Sequence, residues 1–237
     1  MTYTLHLGDC LEVLKGLETD SVDAVITDPP FSIPVKYQDA DGDFGRSWGD
    51  LLAMEPWAFQ WLSELKRVTK STGQVYVCCD ANSYPVFFKA SLPLWPRSHM
   101  LVWYKPTGRR GAGWKHSYEL ILHLATSKSV YTDGFRQDVF GIMPTRTLNR
   151  EHPAEKPGDL IEFILEAIPP NATVLDPFMG SATTGEACIR KRYDFIGVEI
   201  SPTYYAIAQR RIATAAAQPL LLPIHEPTPP IAQLELA

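Results

Sequence analysis

The chain has 237 residues, 45% of them hydrophobic, enough for one α/β domain with a full core and no need of a second. Its 22 Lys and Arg against 27 Asp and Glu leave a formal charge of −5, which excludes a globally basic surface and confines any nucleic-acid contact to a local patch. No basic N-terminal segment precedes a long apolar one, and no stretch approaches the ~20 apolar residues of a membrane span, so a soluble, cytoplasmic protein without a membrane partner is expected.

Tyr3–Leu7 reads as a short strand and Cys10–Gly16 as a helix turn. The apolar run Val22-Asp23-Ala24-Val25-Ile26-Thr27 reads as a buried strand. It must stop at Asp28-Pro29-Pro30-Phe31, because two successive prolines lack the N–H donors that a sheet needs. From Phe31 through Asp50 the chain is polar and rich in Gly and Asp, long enough for a mobile lid. Trp57, Trp61, Leu65 and Val68 have helical spacing, so Pro56–Thr69 is expected as a helix that begins on its proline.

Gln74–Cys79 reads as a strand, Pro85–Ala90 as a short helix, and His99–Tyr104 as a strand with Tyr118–Ala125 as its antiparallel partner at the sheet's edge. Between those two, Lys105 to His116 reads as a Gly-rich basic loop whose Lys105, Arg109, Arg110 and Lys115 are candidate nucleic-acid contacts. Thr126–Pro153 lacks periodicity and reads as an irregular insertion on the rim, whose Arg136, Arg146 and Arg150 are further candidate nucleic-acid contacts, to bases or equally to phosphates alone. Leu160–Ile168 is expected as helix, Ala172–Asp176 as a buried strand, Thr183–Lys191 as helix, Phe195–Glu199 as strand and Pro202–Ala216 as the final helix. Residues 1–217 thus form a single domain, followed by a Pro- and Leu-rich tail, 218–237, expected to be extended or disordered.

The alternation of strands and helices implies a mainly parallel, doubly wound α/β sheet with an antiparallel edge strand. The four cysteines, Cys10, Cys78, Cys79 and Cys188, lack the paired spacing of a zinc site and read as reduced thiols, with no metal implied.

In open α/β sheets ligands bind at the carboxyl ends of the strands. Asp28-Pro29-Pro30-Phe31 would place a carboxylate, a stiff carbonyl-presenting turn and an aromatic face there; alone, it reads equally as an Asp-Pro turn with Phe31 in the core. A second strand, turn and helix start lies at Val174-Leu175-Asp176-Pro177-Phe178-Met179-Gly180-Ser181-Ala182-Thr183-Thr184-Gly185. Gly180 and Gly185 have P-loop spacing, but Glu186-Ala187 stands where a phosphate site needs Lys and Ser or Thr. Glu199 ends the next strand about 20 residues on, where a carboxylate accepts hydrogen bonds from ribose hydroxyls. A ligand with a ribose and no pyrophosphate is implied, and S-adenosylmethionine fits that description.

With both motifs in place the chain resembles a β-group DNA amino-methyltransferase, the family of adenine-N6 and cytosine-N4 DNA methylases, in which the target-amine motif precedes the cofactor motif. The resemblance runs from Leu7-Gly8-Asp9-Cys10-Leu11 to the helix after Glu199. It takes in Glu64-Leu65-Lys66-Arg67-Val68 with Gly73, the region from Trp103-Tyr104-Lys105 to Tyr118-Glu119, and His152-Pro153-Ala154-Glu155-Lys156-Pro157. It implies a Rossmann-like methyltransferase fold with circularly permuted motif order. It also implies a cofactor set of Asp9, Cys10, Lys156, Asp176, Pro177, Phe178, Gly180, Ser181, Thr183 and Glu199. In that set Asp9 binds the adenine amino group of the cofactor, Asp176, Phe178 and Gly180 line its methionine side, and Lys156 begins a helix that closes its pocket. Asp9 reads equally as a helix N-cap and Lys156 as a solvated charge. Phe31 stands where the family more often has Tyr, and Ala182 where it has Gly, so a methyl is added at the cofactor turn.

The resemblance implies methyl transfer to an exocyclic amine of a flipped base in double-stranded DNA, with Asp28, Pro29, Pro30 and Phe31 as the catalytic turn. Asp in first position resembles the adenine-N6 enzymes, whereas cytosine-N4 enzymes commonly have Ser. Cytosine N4 stays open as the target, as do a non-catalytic, cofactor-sensing DNA-binding protein and an enzyme acting on RNA or protein amides. A homodimer and a cognate restriction endonuclease also stay open as partners.

Overall fold

The computed structural model describes residues 1–30, 38–39, 42–43, 51–110, 113–132, 136–143 and 155–218, with backbone alone for 38–39, 42–43, 51–53 and 107–110. In chain order the elements are β1 (Tyr3–Leu7), α1 (Cys10–Gly16), β2 (Val22–Thr27), a two-residue pair β3 (Gln38–Asp39) and β4 (Gly42–Asp43), α2 (Leu51–Val68), β5 (Thr69–Cys79) and α3 (Tyr84–Ser91). Then follow β6 (Arg97–Arg110), β7 (Lys115–Ala125), β8 (Val139–Gly141), α4 (Gly158–Leu165), β9 (Thr173–Asp176), α5 (Thr183–Lys191), β10 (Asp194–Glu199) and α6 (Pro202–Ala217). No helix among the described residues is long and apolar enough to cross a membrane.

Among the described residues, eight strands form one sheet in the order β1-β10-β9-β2-β5-β7-β6-β8. All the pairings are parallel except those of β7 with β5 and with β6. The antiparallel strand expected at the edge therefore lies inside the sheet, and β8 forms the edge. Successive strand residues point to opposite faces, and the sequence supplies an apolar residue to each. Ala24, Ile26, Val174 and Phe195 pack with α4, α5 and α6. Val22, Val25, Val75, Val77 and Leu175 pack with α1, α2 and α3 on the other face. The result is the doubly wound α/β fold that the alternation of elements implies.

Three further expectations change. Helix α2 starts at Leu51, so Pro56 lies inside it; Met54, two residues earlier, is fully buried, and its packing holds the helix across a residue that ordinarily ends one. The basic stretch after Tyr104 is strand rather than loop, with Arg109 opposite His116 and Arg110 opposite Lys115 beyond a register shift. Within the insertion, Val139–Gly141 pairs in parallel with Val102–Tyr104. The lid expected from Phe31 to Asp50 and the tail beyond 218 fall almost entirely outside the described residues.

The strand order reverses between β9 and β2: from β9 the chain proceeds through α5 to β10 on one side, and from β2 through α2 to β5 on the other. Such a switch point opens a crevice at the carboxyl ends of the strands. Both sequence motifs begin there.

Candidate active site

Four neighbouring strands end in carboxylates. Asp9 follows β1, Glu199 ends β10, Asp176 ends β9 and Asp28 follows β2. Since these strands are parallel, the four acids form a row along one edge of the sheet.

Asp9 is the N-cap of α1, its Oδ1 accepting from Leu11 N at 2.9 Å, and Cys10 behind it is buried. Leu7 pairs with Glu199 and Gly8 N donates to the Glu199 carbonyl at 2.9 Å, so Asp9 and Glu199 stand at adjacent strand ends. The Glu199 carboxylate braces two turns. One oxygen accepts from Gly180 N at 2.9 Å and the other from Ser201 N at 2.8 Å.

The second motif is held by its first residue. Asp176 Oδ1 accepts from the Thr27 hydroxyl at 2.8 Å and from Phe178 N at 3.1 Å. Burial raises the Asp176 pKa to about 7, against the stabilising hydrogen bonds of Thr27, Thr184 and Phe178. Pro177 is buried, and Phe178 lies 5.7 Å from both Trp57 and Trp61, so the helix α2 stripe supports the turn. Gly180 has φ +51°, and a Cβ there would meet nothing within 4 Å: the turn borders open space. Ala182 also has positive φ, 64°, but it is fully buried and packed in the core, so its methyl does not narrow the crevice. Gly185 serves packing, since a Cβ would come within 2.6 Å of Ile212 and Phe195.

Ser181 and Thr183 are tied to a separate ion cluster. Arg211 donates to Ser181 Oγ at 3.0 Å and pairs with Glu155 at 3.0 Å and Glu186 at 2.6 Å, while Thr183 Oγ1 donates to Glu155 at 3.4 Å. Glu155 is thereby anchored to the second motif and its neighbour Lys156 reaches the first. Lys156 Nζ lies 2.5 Å from Asp28 Oδ2 and 3.4 Å from Glu119 Oε2. Helix α4 begins just after it, at Gly158.

Lys105 completes the chain of charges by pairing with Glu119 and lying 4.6 Å from the centre of the Trp103 ring. Burial raises the Asp28 pKa above the usual carboxylate range, and the Lys156 ammonium offsets only part of that rise. Burial opposes the Lys156 charge, yet Asp28 and Glu119 outweigh it and raise its pKa. Pro29 is buried and Pro30 exposed. Phe31 lies outside the described residues.

The basic stretch projects from the same edge. Strand β5 ends at Cys79 opposite Leu120, and β6 and β7 run on past it as a hairpin arm through Arg109, Arg110 and Lys115. Near its end Trp114 is 88% exposed. Two candidate contacts are withdrawn from such a surface: Lys105 is held by Glu119, and Arg136 pairs with Glu166 at 2.7 Å, donates to the Phe163 carbonyl and lies 4.5 Å from the Phe163 ring. Arg146 and Arg150 are outside the described residues.

Glu119, Thr27, Glu155 and Arg211 were not among the candidates from sequence. Thr27 immediately precedes a motif, and Glu119 falls in a segment that carries the resemblance; Arg211 left no local signal, because its partners are remote in the chain.

Residues 22–210 match the sequence profile of the DNA methylase family. DNA adenine methyltransferase YhdJ of Escherichia coli strain K12 is 28% identical, over 90% of this chain and 83% of its own. Among solved structures, the cytosine-N4-specific PvuII DNA methyltransferase has a TM-score of 0.71 at 18% identity, covering 89% of this chain and 86% of its own. The M1.HpyAVI complex with SAM has a TM-score of 0.68 at 22% identity, covering 89% and 99%. With the permuted order of motifs, the switch-point crevice and a profile spanning most of the chain in agreement, this protein belongs to the N6/N4 DNA methylase family.

Proposed function

We propose that the protein transfers a methyl group from S-adenosylmethionine to the N6 amine of adenine in double-stranded DNA. The observation that carries this reading is Asp28 at the switch point: its Oδ1 is buried with no hydrogen-bond partner among the described residues, beside a turn that borders open space at Gly180. A buried acceptor without a donor is costly in isolation. An amine N–H would satisfy it.

The residues present fit the cofactor. It carries a sulfonium and an ammonium, and Asp176, Glu199 and Asp9 line one edge with carboxyl acceptors. Asp9 would take the adenine amino group, Glu199 the ribose hydroxyls, and Asp176, Phe178 and Gly180 the methionine side. When bound, S-adenosylmethionine supplies an electrophilic methyl whose bond to sulfur breaks as the bond to nitrogen forms.

An exocyclic base amine is a poor nucleophile because its lone pair is delocalised into the ring. Asp28 and the Pro29 carbonyl accept its two N–H bonds, which favours a pyramidal nitrogen with the lone pair directed at the methyl. The amine then loses one proton, to Asp28 or to water. Pro30 stiffens the turn, and Phe31 is the candidate for stacking on a base swung out of the duplex, since an amine within a base pair cannot be approached in line. Stacking worth ~1–3 kcal/mol offsets part of the unstacking cost.

The choice of adenine rests on Asp in first position and on a relative named as an adenine methyltransferase. Labelled methyl transfer to DNA, RNA and protein in parallel tests the reading, with identification of the modified nucleoside. Label in DNA as N6-methyladenine is expected; label confined to RNA or protein, or no transfer at all, overturns it.

A further inference from the structure

Asp28 has two carboxylate oxygens in unlike surroundings. Oδ2 lies 2.5 Å from Lys156 Nζ, whereas Oδ1 is buried with no hydrogen-bond partner among the described residues. Lys156, its side chain only 10% exposed, is in turn 3.4 Å from Glu119, and Glu119 pairs with Lys105. These groups come from four places in the chain: the turn after β2, the segment before α4, β7 and β6.

We propose that Lys156 is a positioning residue for amine methylation, holding Asp28 by Oδ2 so that Oδ1 alone is presented to the amine, with Glu119 and Lys105 fixing Lys156 in place. The proposal rests on the reading of Asp28 as the amine acceptor. Two physical reasons support it. The torsion that turns a carboxylate about its own axis is broad and roughly two-fold, so an unheld Asp28 would exchange its oxygens, while an ammonium at hydrogen-bond distance locks one orientation. A buried carboxyl without a nearby cation also tends to keep its proton. A protonated Asp28 would be a donor, directed at the lone pair that must attack. Lys156 works against that proton and so favours the acceptor form.

Among the described residues, the charged and titratable groups facing Asp28 are Lys156, Glu119, Lys105, Asp176 on β9, and Cys78 and Cys79 on β5. Burial pushes both thiols up, so they stay neutral. Among the described residues, Lys156 is the cation in direct contact with Asp28.

The test is a carbon-13 NMR titration of the aspartate carboxyls in the full chain, with Asp28 assigned by its absence in Asp28→Asn. Lys156→Met is expected to move the Asp28 titration to higher pH by about 1–3 units, and Lys156→Arg to restore it. An unmoved Asp28 titration in Lys156→Met overturns the proposal. This readout is independent of which base is methylated, so a cytosine product would refute the adenine assignment and leave the titration to decide the present point. Glu119→Gln supplies a second arm, which also serves if Lys156→Met does not fold. Its kcat should fall about 10- to 100-fold through misplacement of Lys156 and Asp28, with the Kd for S-adenosylmethionine unchanged. A raised Kd with kcat intact would make this cluster part of the cofactor pocket and overturn its positioning role.

Discussion

Thr27 and Asp176, 149 positions apart in the chain, are joined by a 2.8 Å hydrogen bond from the Thr27 hydroxyl to Asp176 Oδ1. The bond ties together the ends of neighbouring strands β2 and β9, the two ends from which the Asp28 turn and the Asp176 turn depart. Thr27→Val keeps the shape of the side chain and removes this donor from a buried carboxyl. The expected loss of stability is about 1–3 kcal/mol in urea denaturation; a variant as stable as the parent would show that the bond is not needed to hold the two ends.

Asp176 makes stability depend on pH in a defined direction. Its folded-state pKa of about 7 lies above its ordinary value of 3.8, so the folded protein holds a proton that the unfolded chain releases between about pH 4 and pH 7. Its contribution to stability is therefore fully present below that window, falls as pH rises through it, and is gone above about pH 7. Asp176→Asn retains an oxygen for both the Thr27 and Phe178 donors and carries no charge. Relative to the parent, its thermal melting should be less sensitive to pH across this window, with a higher Tm at about pH 8 and with methyl transfer lost. Parallel melting curves for the two proteins across the window would contradict the assignment.

Gly185 lies where helix α5 meets β10 and α6. A Cβ there would approach Ile212 and Phe195 to 2.6 Å, so Gly185→Ala should cost about 1–3 kcal/mol by overpacking, measured as a lower urea midpoint with an unchanged denaturant slope. No loss of stability would mean that the helix moves off the sheet without penalty.

The hairpin arm and the rim insertion make opposite predictions for DNA. Replacing Arg109, Arg110 and Lys115 together by Ala should weaken DNA binding irrespective of sequence and lower the slope of log K against log salt by up to about 0.9 for each phosphate left without its cation. Arg136→Ala should leave that slope alone and lower stability, since its guanidinium is bound to Glu166 and Phe163. Fluorescence anisotropy over a salt series reads the first effect and thermal melting the second; a reduced slope for Arg136→Ala would return that residue to the DNA-facing set.

Much of the sheet was legible from local pattern, because apolar runs that end in turn residues mark buried strands wherever they pair. The Asp28 and Asp176 turns were legible for the same reason, with prolines and glycines punctuating the strand ends. Pairing of unlike segments was not. Lys105 to Arg110 has the Gly and Lys-Arg content of a loop and becomes strand only through register with β7, and Val139–Gly141 is strand only because β6 offers it an edge. Ion pairs such as Lys156 with Asp28, 128 positions apart, leave no periodicity to detect, so Lys156 read as a cofactor-side residue and Arg136 as a DNA contact. Pro56 read as a helix start because its local rule is strong, and the burial of Met54 overrode it.

The central claim, that Asp28 holds the adenine amine for methylation, is tested most directly by nucleoside mass spectrometry of DNA from cells expressing the parent protein or Asp28→Ala, together with S-adenosylmethionine titration of both purified proteins. The account predicts N6-methyladenine with the parent alone and cofactor binding by both. N4-methylcytosine as the sole product, or N6-methyladenine that persists with Asp28→Ala, would contradict it.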